Sequence, residues 1–537
     1  MASPLFRLIA QLHAVMTNPE PRPGIHPIPG SQPLTLKAAV LPPLTYYVAL
    51  LFLAPPPPPI IDSIYIKVIR NILALTAGIL FFRLPLAYHV PQSIGLTYQL
   101  GLVGLYGGCR VIDAFFISPY FFKHIPRRVK YLHKPRIEPH GPEKAASVKE
   151  WSDGGVKEPY LYQSKSAASD ERAARKATRD DSAADSKSAH TIQSQRSSIS
   201  TAIARRMSDS IPDAARDSYL VVQRTLTGPD PQPVLETAIT ESGWPQSLRD
   251  RASWALELEL SMRGVGFTWT TADVRHTRKT WLPTVENRVH SVLVHASPVL
   301  LASWCVVRTV YVRYLASSAG PDRFGSGEQG LFDELPPPVQ LLLTGALGAF
   351  LMAAFSLGHS LFAVALSPLA PSPLAFFPPL YSTRVWDVAC VRRFWSYGWH
   401  RLFARLFLVY GVWPGEWLER RLTGKSDAEP ADVGKVLGGF LSSAFVHSFS
   451  VRGVLGGDWS SAAGEAKFFA LNGLAVVVEG VIVRAVGNSR KKRGVGESVW
   501  YDGWIGRIWW IVVLLGSGRN FARGWVKSGL VREIAFQ

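Results

Sequence analysis

The chain has 537 residues, enough for several soluble domains, but 47% of them are hydrophobic and only 18% are charged, against about 25% in soluble domains. With a mean hydropathy of +0.10, burial in a lipid bilayer explains this composition best. Lysine and arginine outnumber aspartate and glutamate by 58 to 40, but no module of basic and aromatic residues accompanies them, so we expect no nucleic-acid partner. The three cysteines lack the paired spacing of a zinc site or a disulfide framework, and no metal site is predicted.

The first 35 residues, 1–35, form a proline-rich leader without the early apolar core of a secretory signal, so we expect the first apolar run to remain as an anchor. A helix needs about 20 mainly apolar residues to cross the roughly 30 Å hydrocarbon core. By that criterion the sequence predicts about eight spans, of which the last three are short. The spans are 36–54, 71–88, 93–119, 293–316, 337–369, 437–450, 467–484 and 504–516. These runs predict an all-α fold, a polytopic transmembrane helical bundle whose N-terminal segments occupy 36–122.

Residues 137–235 differ from the rest of the chain because they are rich in serine, alanine and charged residues and poor in aromatics. Such a stretch buries too little apolar surface to offset the entropy of ordering it, so the sequence predicts a disordered insertion. Basic residues at 123–130 follow the third span and place the insertion on the cytoplasmic side, because lysine and arginine beside spans mark cytoplasmic loops. The acidic stretch 322–334 is then lumenal.

The same rule places the basic loop 384–405 and the basic run 490–493 on the cytoplasmic side, provided that residues 406–418 do not span the membrane. We therefore predict that 406–418 lies along the interface or re-enters the membrane. Trp413 and Trp417 would then lie at the depth of the lipid headgroups, where tryptophan is enriched.

Two histidines stand in unusual positions within or beside apolar segments. His447 lies inside an apolar run, and His400 follows Trp399 in a stretch of aromatics and arginines. Ionisable groups at membrane depth are costly, so they are functional candidates by default. A structural interpretation stays open for each: His447 as a hydrogen-bond partner of a neighbouring helix, and His400 as an interfacial anchor. The structural interpretation is preferred for three other polar residues in apolar segments, His359, Asn472 and Glu479.

Three motifs in order resemble the wax-synthase branch of the membrane-bound O-acyltransferases. The stretch RRFWSYGWH at 392–400 is similar to the FW-x-x-x-W-[N/H] signature of that branch, and FLSSAFVH at 440–447 is similar to the apolar segment that ends in its histidine. Upstream, WALELELSMRGVGFTW at 254–269 resembles an amphipathic stretch common in fungal members. The chain departs from the family at 396–398, where members commonly have a basic triplet, and at Ser448, where an acidic residue often follows the histidine.

The resemblance implies an acyltransferase region over 236–537 that transfers an acyl group from acyl-CoA to an alcohol hydroxyl. His447 is then the expected general base, and His400 is expected to orient the substrate or polarise the thioester carbonyl. Expected contacts on the CoA side are Arg392, Arg393, Arg401, Trp395 and Trp399. The arginines suit phosphate, but their role in setting membrane topology explains them equally well. Acyl-CoA would be the co-substrate and a hydrophobic alcohol the acceptor, with no cofactor or metal required.

Fungal relatives with this pattern imply transfer of acetyl from acetyl-CoA to an apolar secondary metabolite such as a terpenoid, in the endoplasmic reticulum. An alternative within the class is a wax-ester synthase that joins long-chain acyl-CoA to a fatty alcohol. A non-catalytic membrane transporter or scaffold is the alternative from another class, although no inverted repeat is visible in the sequence. The sequence leaves open the donor chain length, the acceptor, the oligomeric state and the role of the insertion.

Overall fold

The computed structural model describes most of the chain outside the predicted insertion. The described residues are 20, 27–55, 64–134, 236–241, 243–269, 285–316, 331–366, 377–381, 385–426, 429–494, 499 and 501–535. The disordered insertion predicted at 137–235 and most of the leader at 1–35 lie outside these residues.

The N-terminal part folds into three successive helices, the last of which ends in a π-helical segment. They are α1 (Leu36–Leu51), α2 (Ile64–Ala87), α3 (Ile94–Ile112) and the π-helix Asp113–Phe121. The Thr35 and Ser93 hydroxyls accept hydrogen bonds from backbone N–H groups in the first turns of α1 and α3, which would otherwise lack partners. α2 and α3 pack closely because Gly107 of α3 has no side chain: an added Cβ there would overlap the Phe81 ring of α2.

Two short strand pairs and a polar helix accompany the N-terminal helices. The strands are β1 (Gln32–Pro33), which pairs in parallel with β2 (Tyr88–His89), and β3 (Val129–Lys134), which pairs antiparallel with β4 (Glu236–Glu241). Helix α4 (Leu248–Leu260) buries Trp254 and Leu258. Arg128 forms ion pairs with Asp250 and Glu257 of this helix, which joins α4 to the segment after the third N-terminal helix.

The central helices comprise one helix with π-helical interruptions and one long apolar helix. They are α5 (Val285–His290), the π-helix Ser291–Ala296, α6 (Ser297–Val310), the π-helix Tyr311–Leu315, α7 (Leu331–Glu334) and α8 (Pro337–Leu366). α6 and α8 pack side by side, and both contribute to a large apolar core that also includes residues of α3 and the C-terminal helices.

Short helical pieces follow in the region that carries the first motif. They are a 3-10 turn Val385–Asp387, α9 (Val391–Arg393), the π-helix Phe394–Gly398, α10 (Ala404–Phe407), the π-helix Leu408–Val412 and α11 (Trp413–Thr423). The Trp413 ring lies against Phe122, 4.4 Å between ring centroids, whereas the Trp417 side chain is 65% exposed. The interfacial position predicted for 406–418 stays a prediction.

The C-terminal part consists of three long helices and one short helix. They are α12 (Asp432–Arg452), α13 (Trp459–Lys492), α14 (Asp502–Lys527) and α15 (Leu530–Ile534). Asp458 caps α13, since its carboxylate accepts hydrogen bonds from the N–H groups of Ser460 and Ser461. α13 packs along both α12 and α14. α12 also packs against α3, so it lies between α13 and the third N-terminal helix.

The predicted all-α transmembrane fold is confirmed. Among the described residues, five helices are long and apolar enough to cross a membrane, namely Ile64–Ala87, Ile94–Phe121, Arg288–Leu315, Pro337–Ala363 and Trp459–Lys492. The three remaining spans of the predicted eight fall in helices that do not meet the same criterion: α1 is shorter, and α12 and α14 are less apolar. Five of the 26 residues of α14 are charged, which lowers its mean hydropathy: Asp502, Arg507, Arg519, Arg523 and Lys527.

Glycines set the distance between α12 and its neighbours. Gly411 and Gly415 lie directly against the backbone of Gly438 and Gly434, so that an added Cβ at any of the four would overlap backbone atoms. Such small residues, four apart on facing helices, let membrane helices approach closely and are typical of tightly packed helix pairs. On another side of α12, Gly101 of α3 lies against Ser450. These two approaches fix where α12 presents its polar side chains.

Candidate active site

His447 lies on α12, one turn before the point where Gly101 meets Ser450. Its ring stacks on Phe469 of α13, with centroids 4.5 Å apart and an interplanar angle of 25°. The edge of Phe521 from α14 closes another side at 6.4 Å. The imidazole side chain is 16% exposed. Three helices therefore hold the ring in one orientation within an apolar setting.

A tyrosine and a glutamate converge on Nδ1 of His447. The Tyr98 Oη, from α3, lies 2.8 Å from this nitrogen, and Tyr98 donates a hydrogen bond of 3.2 Å to Oε2 of Glu465 on α13. The same carboxylate oxygen lies 3.5 Å from Nδ1 of His447. Tyr98 and Glu465 are 5% and 1% exposed, so this arrangement is shielded from water.

The Glu465 carboxylate is held on its second oxygen as well. Trp525 of α14 donates a hydrogen bond of 3.0 Å from Nε1 to Oε1. Behind His447, the Ser448 hydroxyl donates to the Ala462 carbonyl and ties α12 to α13 one turn from Glu465. At Ser448 the chain departs from the family motif, and the carboxylate nearest His447 comes from the neighbouring helix instead.

His400 lies in the same aromatic cluster as His447. The rings form a continuous series in which neighbouring centroids are 4.5 to 5.9 Å apart: His447, Phe469, Trp395, Trp399 and His400. The Phe355 ring of α8 covers His400 at 4.7 Å. Nδ1 of His400 is shielded from solvent and has no hydrogen-bond partner among the residues that the structure describes.

Burial lowers the pKa of His400 to about 3, and the nearby His447 and Arg263 act in the same direction. The ring is therefore neutral at physiological pH and carries one N–H group and one free lone pair. A neutral imidazole with an unpartnered buried nitrogen is able to bind a polar group of a substrate.

The motif 392–400 is anchored by two side chains of α13. Trp395 donates a hydrogen bond of 3.1 Å from Nε1 to Oδ1 of Asn472, whose amide donates in turn to Ser517 of α14. Glu479 accepts hydrogen bonds from the backbone N–H groups of Val391 and Arg392, at 2.8 and 3.2 Å. Asn472 and Glu479 thus have the structural role expected of them, since each holds the motif without contacting either histidine.

The predicted CoA-side arginines are peripheral to this cluster. Arg392 and Arg393 are exposed, and Arg401 is half-buried. Within the described part of the chain, none of the three guanidinium groups makes a hydrogen bond or an ion pair. Trp399 is half-buried beside His400. The structure brings His400, Trp395 and Trp399 together with His447 and leaves the arginines at the surface of the protein.

The upstream motif at 254–269 supports the site from outside. The Arg263 side chain, 3% exposed, donates to the backbone carbonyls of Pro378 and Pro379, just before the first motif. Gly264 has a φ of +69°, and a Cβ there would overlap Trp269, so the tight turn after Arg263 requires glycine. This motif therefore joins the loop after α4 to the segment that leads into the site.

Comparison with known proteins finds one family over the region of the site. The sequence model of the Membrane bound O-acyl transferase family matches residues 377–471, which include both histidines and Glu465. Over these residues the chain is similar to the membrane-bound O-acyltransferases. The match covers the motifs at 392–400 and 440–447 that carry the resemblance, and with its apolar helices the chain is an integral membrane protein.

Two fungal proteins are similar to the chain over part of its length. It is 27% identical to "Acetyltransferase eriL" of Hericium erinaceus over 234 residues, which cover 43% of this chain and 58% of that protein. It is 25% identical to "Acetyltransferase ple2" of Rhodocybe pseudopiperita over 279 residues, which cover 51% and 67%. No solved structure matches the chain.

Tyr98 and Glu465 were not singled out from the sequence. Glu465 carried a usable signal, because it is an acidic residue in the first turns of a long apolar helix. Tyr98 carried none, since a tyrosine in a membrane helix is ordinary. Of the described residues, no group of three or more histidine, cysteine, aspartate or glutamate side chains is placed to hold a metal ion.

Proposed function

We propose that the protein transfers an acyl group from acyl-CoA to an alcohol, with His447 as the general base. The observation that carries this proposal is the engagement of His447: Nδ1 is occupied by Tyr98 and Glu465, which leaves Nε2 as the ring nitrogen available to a substrate. A base must lie within hydrogen-bonding reach of the proton that it takes, and only an unoccupied nitrogen meets that condition.

In this reaction Nε2 of His447 takes the alcohol proton as the alcohol oxygen attacks the thioester carbonyl carbon. The carbon–sulfur bond then breaks, the acyl group stays on the alcohol oxygen as an ester, and the thiolate of CoA takes the proton from His447. A neutral His400 supplies an N–H donor for the carbonyl oxygen, on which negative charge develops in the tetrahedral intermediate. Arg392, Arg393 and Arg401 are suited to bind the phosphates of CoA at the membrane surface.

We further propose acetyl-CoA as the donor and an apolar secondary metabolite such as a terpenoid as the acceptor, at the endoplasmic reticulum. The two relatives named as acetyltransferases support the acetyl group. Wax-ester synthesis from a long-chain acyl-CoA and a fatty alcohol is the competing specificity within the same chemistry.

The test is an ester-forming assay in yeast microsomes with radiolabelled acetyl-CoA and palmitoyl-CoA, each offered with terpenoid and fatty alcohols. Wild type should form an ester, and His447→Ala should lower its rate by about 100-fold or more, since general base catalysis contributes about 10²–10⁴-fold. His400→Ala should also lower the rate. His359→Ala, at matched abundance, is the control, because this histidine packs against Phe377 and not against His447.

The outcomes separate the proposals. Preference for acetyl-CoA supports acetyl transfer, and preference for palmitoyl-CoA supports wax-ester synthesis. Full activity in His447→Ala would show that His447 is not the base. Absence of ester from every donor and acceptor would favour a transporter or scaffold over an enzyme.

A further inference from the structure

We propose that Tyr98 and Glu465 are positioning residues that prepare His447 to act as a base. Tyr98 keeps the proton of the resting imidazole on Nδ1, so that Nε2 carries the lone pair, and Glu465 stabilises the imidazolium that forms when Nε2 takes the alcohol proton. This inference rests on the proposed acyl transfer. It assigns roles to two residues outside the motifs that identified the site.

The direction of the hydrogen bonds follows from what each group is able to donate. An ionised Glu465 carboxylate only accepts, so the Tyr98 hydroxyl hydrogen points to Oε2, at 3.2 Å. The Tyr98 oxygen then has lone pairs to accept a hydrogen bond from Nδ1 of His447, at 2.8 Å. A neutral imidazole has one N–H, and when that proton lies on Nδ1 the other nitrogen is unprotonated.

The position of Glu465 is otherwise difficult to explain. Its side chain is 1% exposed in the middle of packed helices, where an isolated carboxylate is costly. Within the described part of the chain, His447 is the only basic side chain at ion-pair distance from it. Trp525 donates a hydrogen bond to the other carboxylate oxygen. The carboxylate therefore gains a compensating charge at the moment when His447 becomes protonated.

The surroundings of His447 leave Glu465 as the dominant charge. The groups facing the ring are Tyr98 from α3, Glu465 and Phe469 from α13, Phe521 from α14, and His400. The phenyl rings carry no charge, and His400 is neutral near pH 7. Electrostatic attraction is stronger in such shielded surroundings than in water, so removal of one carboxylate charge has a measurable effect on the imidazole.

The proposed step transfers one proton and leaves the hydrogen bonds among Nδ1, Tyr98 and Glu465 unchanged. The alcohol proton moves to Nε2, the alcohol oxygen bonds to the thioester carbon, and the sulfur leaves with the same proton. Nδ1 keeps its hydrogen throughout, and Glu465 is not protonated. The glutamate thus acts by charge and orientation.

The first experiment measures kcat and KM between pH 5 and 9 for Glu465→Gln and Tyr98→Phe. Glu465→Gln should lower kcat by about tenfold or more with KM within about threefold of wild type, because the lost interaction is made mainly after proton transfer. The acidic limb of the kcat–pH profile of this variant should move to lower pH, since the imidazolium loses its stabilising charge. Tyr98→Phe should lower kcat less, and Glu465→Asp should restore part of the activity and of the pH profile.

Two matched variants serve as controls. Glu416→Gln removes a carboxylate that pairs with Arg420 and Lys435 at a distance from His447, and Tyr410→Phe removes a half-buried hydroxyl that donates to the Cys109 carbonyl. Both should retain the wild-type pH profile. Equal losses of kcat in Glu465→Gln and Glu416→Gln would overturn the proposed role of Glu465. So would a pH–rate profile of Glu465→Gln whose acidic limb is unshifted.

A second measurement does not depend on activity. Diethyl pyrocarbonate modifies neutral imidazole, and mass spectrometry of the peptide containing His447 reports the pH midpoint of its modification. The midpoint should fall in Glu465→Gln, with His447→Gln as the blank. An unchanged midpoint would overturn the role of Glu465 even if kcat falls. A shifted midpoint without ester formation in wild type would instead overturn the proposed function and leave the coupling of the two side chains established.

Discussion

Replacement of Gly101 by alanine should separate the helices that carry Tyr98 and His447. The added Cβ would lie 2.7 Å from Cα and 2.9 Å from Cβ of Ser450. Non-bonded carbon atoms in contact lie about 3.5–4.0 Å apart, so α3 must move away from α12 by about 1 Å. Tyr98 lies one turn before Gly101, and His447 one turn before Ser450, so this movement acts directly on the hydrogen bond between them.

The displacement is large relative to the hydrogen bond. Its length of 2.8 Å would increase to about 3.6–3.8 Å, beyond the range in which a hydroxyl and an imidazole nitrogen interact well. Activity should fall by less than about tenfold, similar to Tyr98→Phe, and overpacking of this kind lowers stability by about 1–3 kcal/mol. Ester formation at saturating donor and acceptor measures the first effect, and the melting temperature in detergent measures the second.

Gly348→Ala is the appropriate control, because Gly348 lies in a membrane helix and its added Cβ meets nothing within 4 Å. It should leave both activity and melting temperature near the wild-type values. If Gly101→Ala kept full activity while its melting temperature fell, the close approach of α3 and α12 would matter for folding only. The Tyr98–His447 distance would then not depend on that approach.

Three further predictions concern stability in detergent. Because burial lowers the pKa of His400 to about 3, the unfolded chain takes up a proton there that the folded chain does not; stability is complete above pH 6.5 and falls toward pH 3, by up to about 2 kcal/mol at pH 5, and His400→Asn should flatten the fall in melting temperature between pH 7 and 5. Gly438→Ala should lower the melting temperature through overlap with the Gly411 carbonyl, by the equivalent of about 1–3 kcal/mol, whereas the control variant Gly348→Ala should not. Asp113→Asn should cost about 3–5 kcal/mol because it leaves the Arg405 guanidinium, 2.8 Å away, buried without its carboxylate; the double variant with Arg405→Met should recover part of the loss in a melting curve.

The site shows where reasoning from sequence was sufficient. His447 and His400 stand out because ionisable residues are rare in apolar segments, and that rarity is visible in a single sequence. The structure places both in one aromatic cluster, joined through Phe469, Trp395 and Trp399. Their chemical roles remain proposals, because position in a cluster does not by itself establish catalysis.

Helix boundaries were less predictable where charged residues enter an apolar run. Hydropathy located the five helices of spanning length, but it marked only part of α12 and α14. Runs of 14 and 13 residues were expected at 437–450 and 504–516, whereas the helices extend over Asp432–Arg452 and Asp502–Lys527. Arg490, near the end of α13, forms a bidentate pair with Asp502 at the start of α14, which accommodates charge at these ends. Side-chain pairs of this kind are not visible in a hydropathy profile.

Local composition alone is enough to assign this chain to a membrane, to mark the apolar runs that become helices, and to single out two histidines as chemical candidates. The groups that engage His447, in contrast, come from distant parts of the chain that the folded protein brings together. Tyr98 is 349 residues away along the chain, and Glu465 lies on the next helix. Their convergence depends on how closely α3 and α13 approach α12, which glycine contacts and aromatic packing set. Such distances between helices follow from the fit of whole surfaces and are not encoded in any single run of residues.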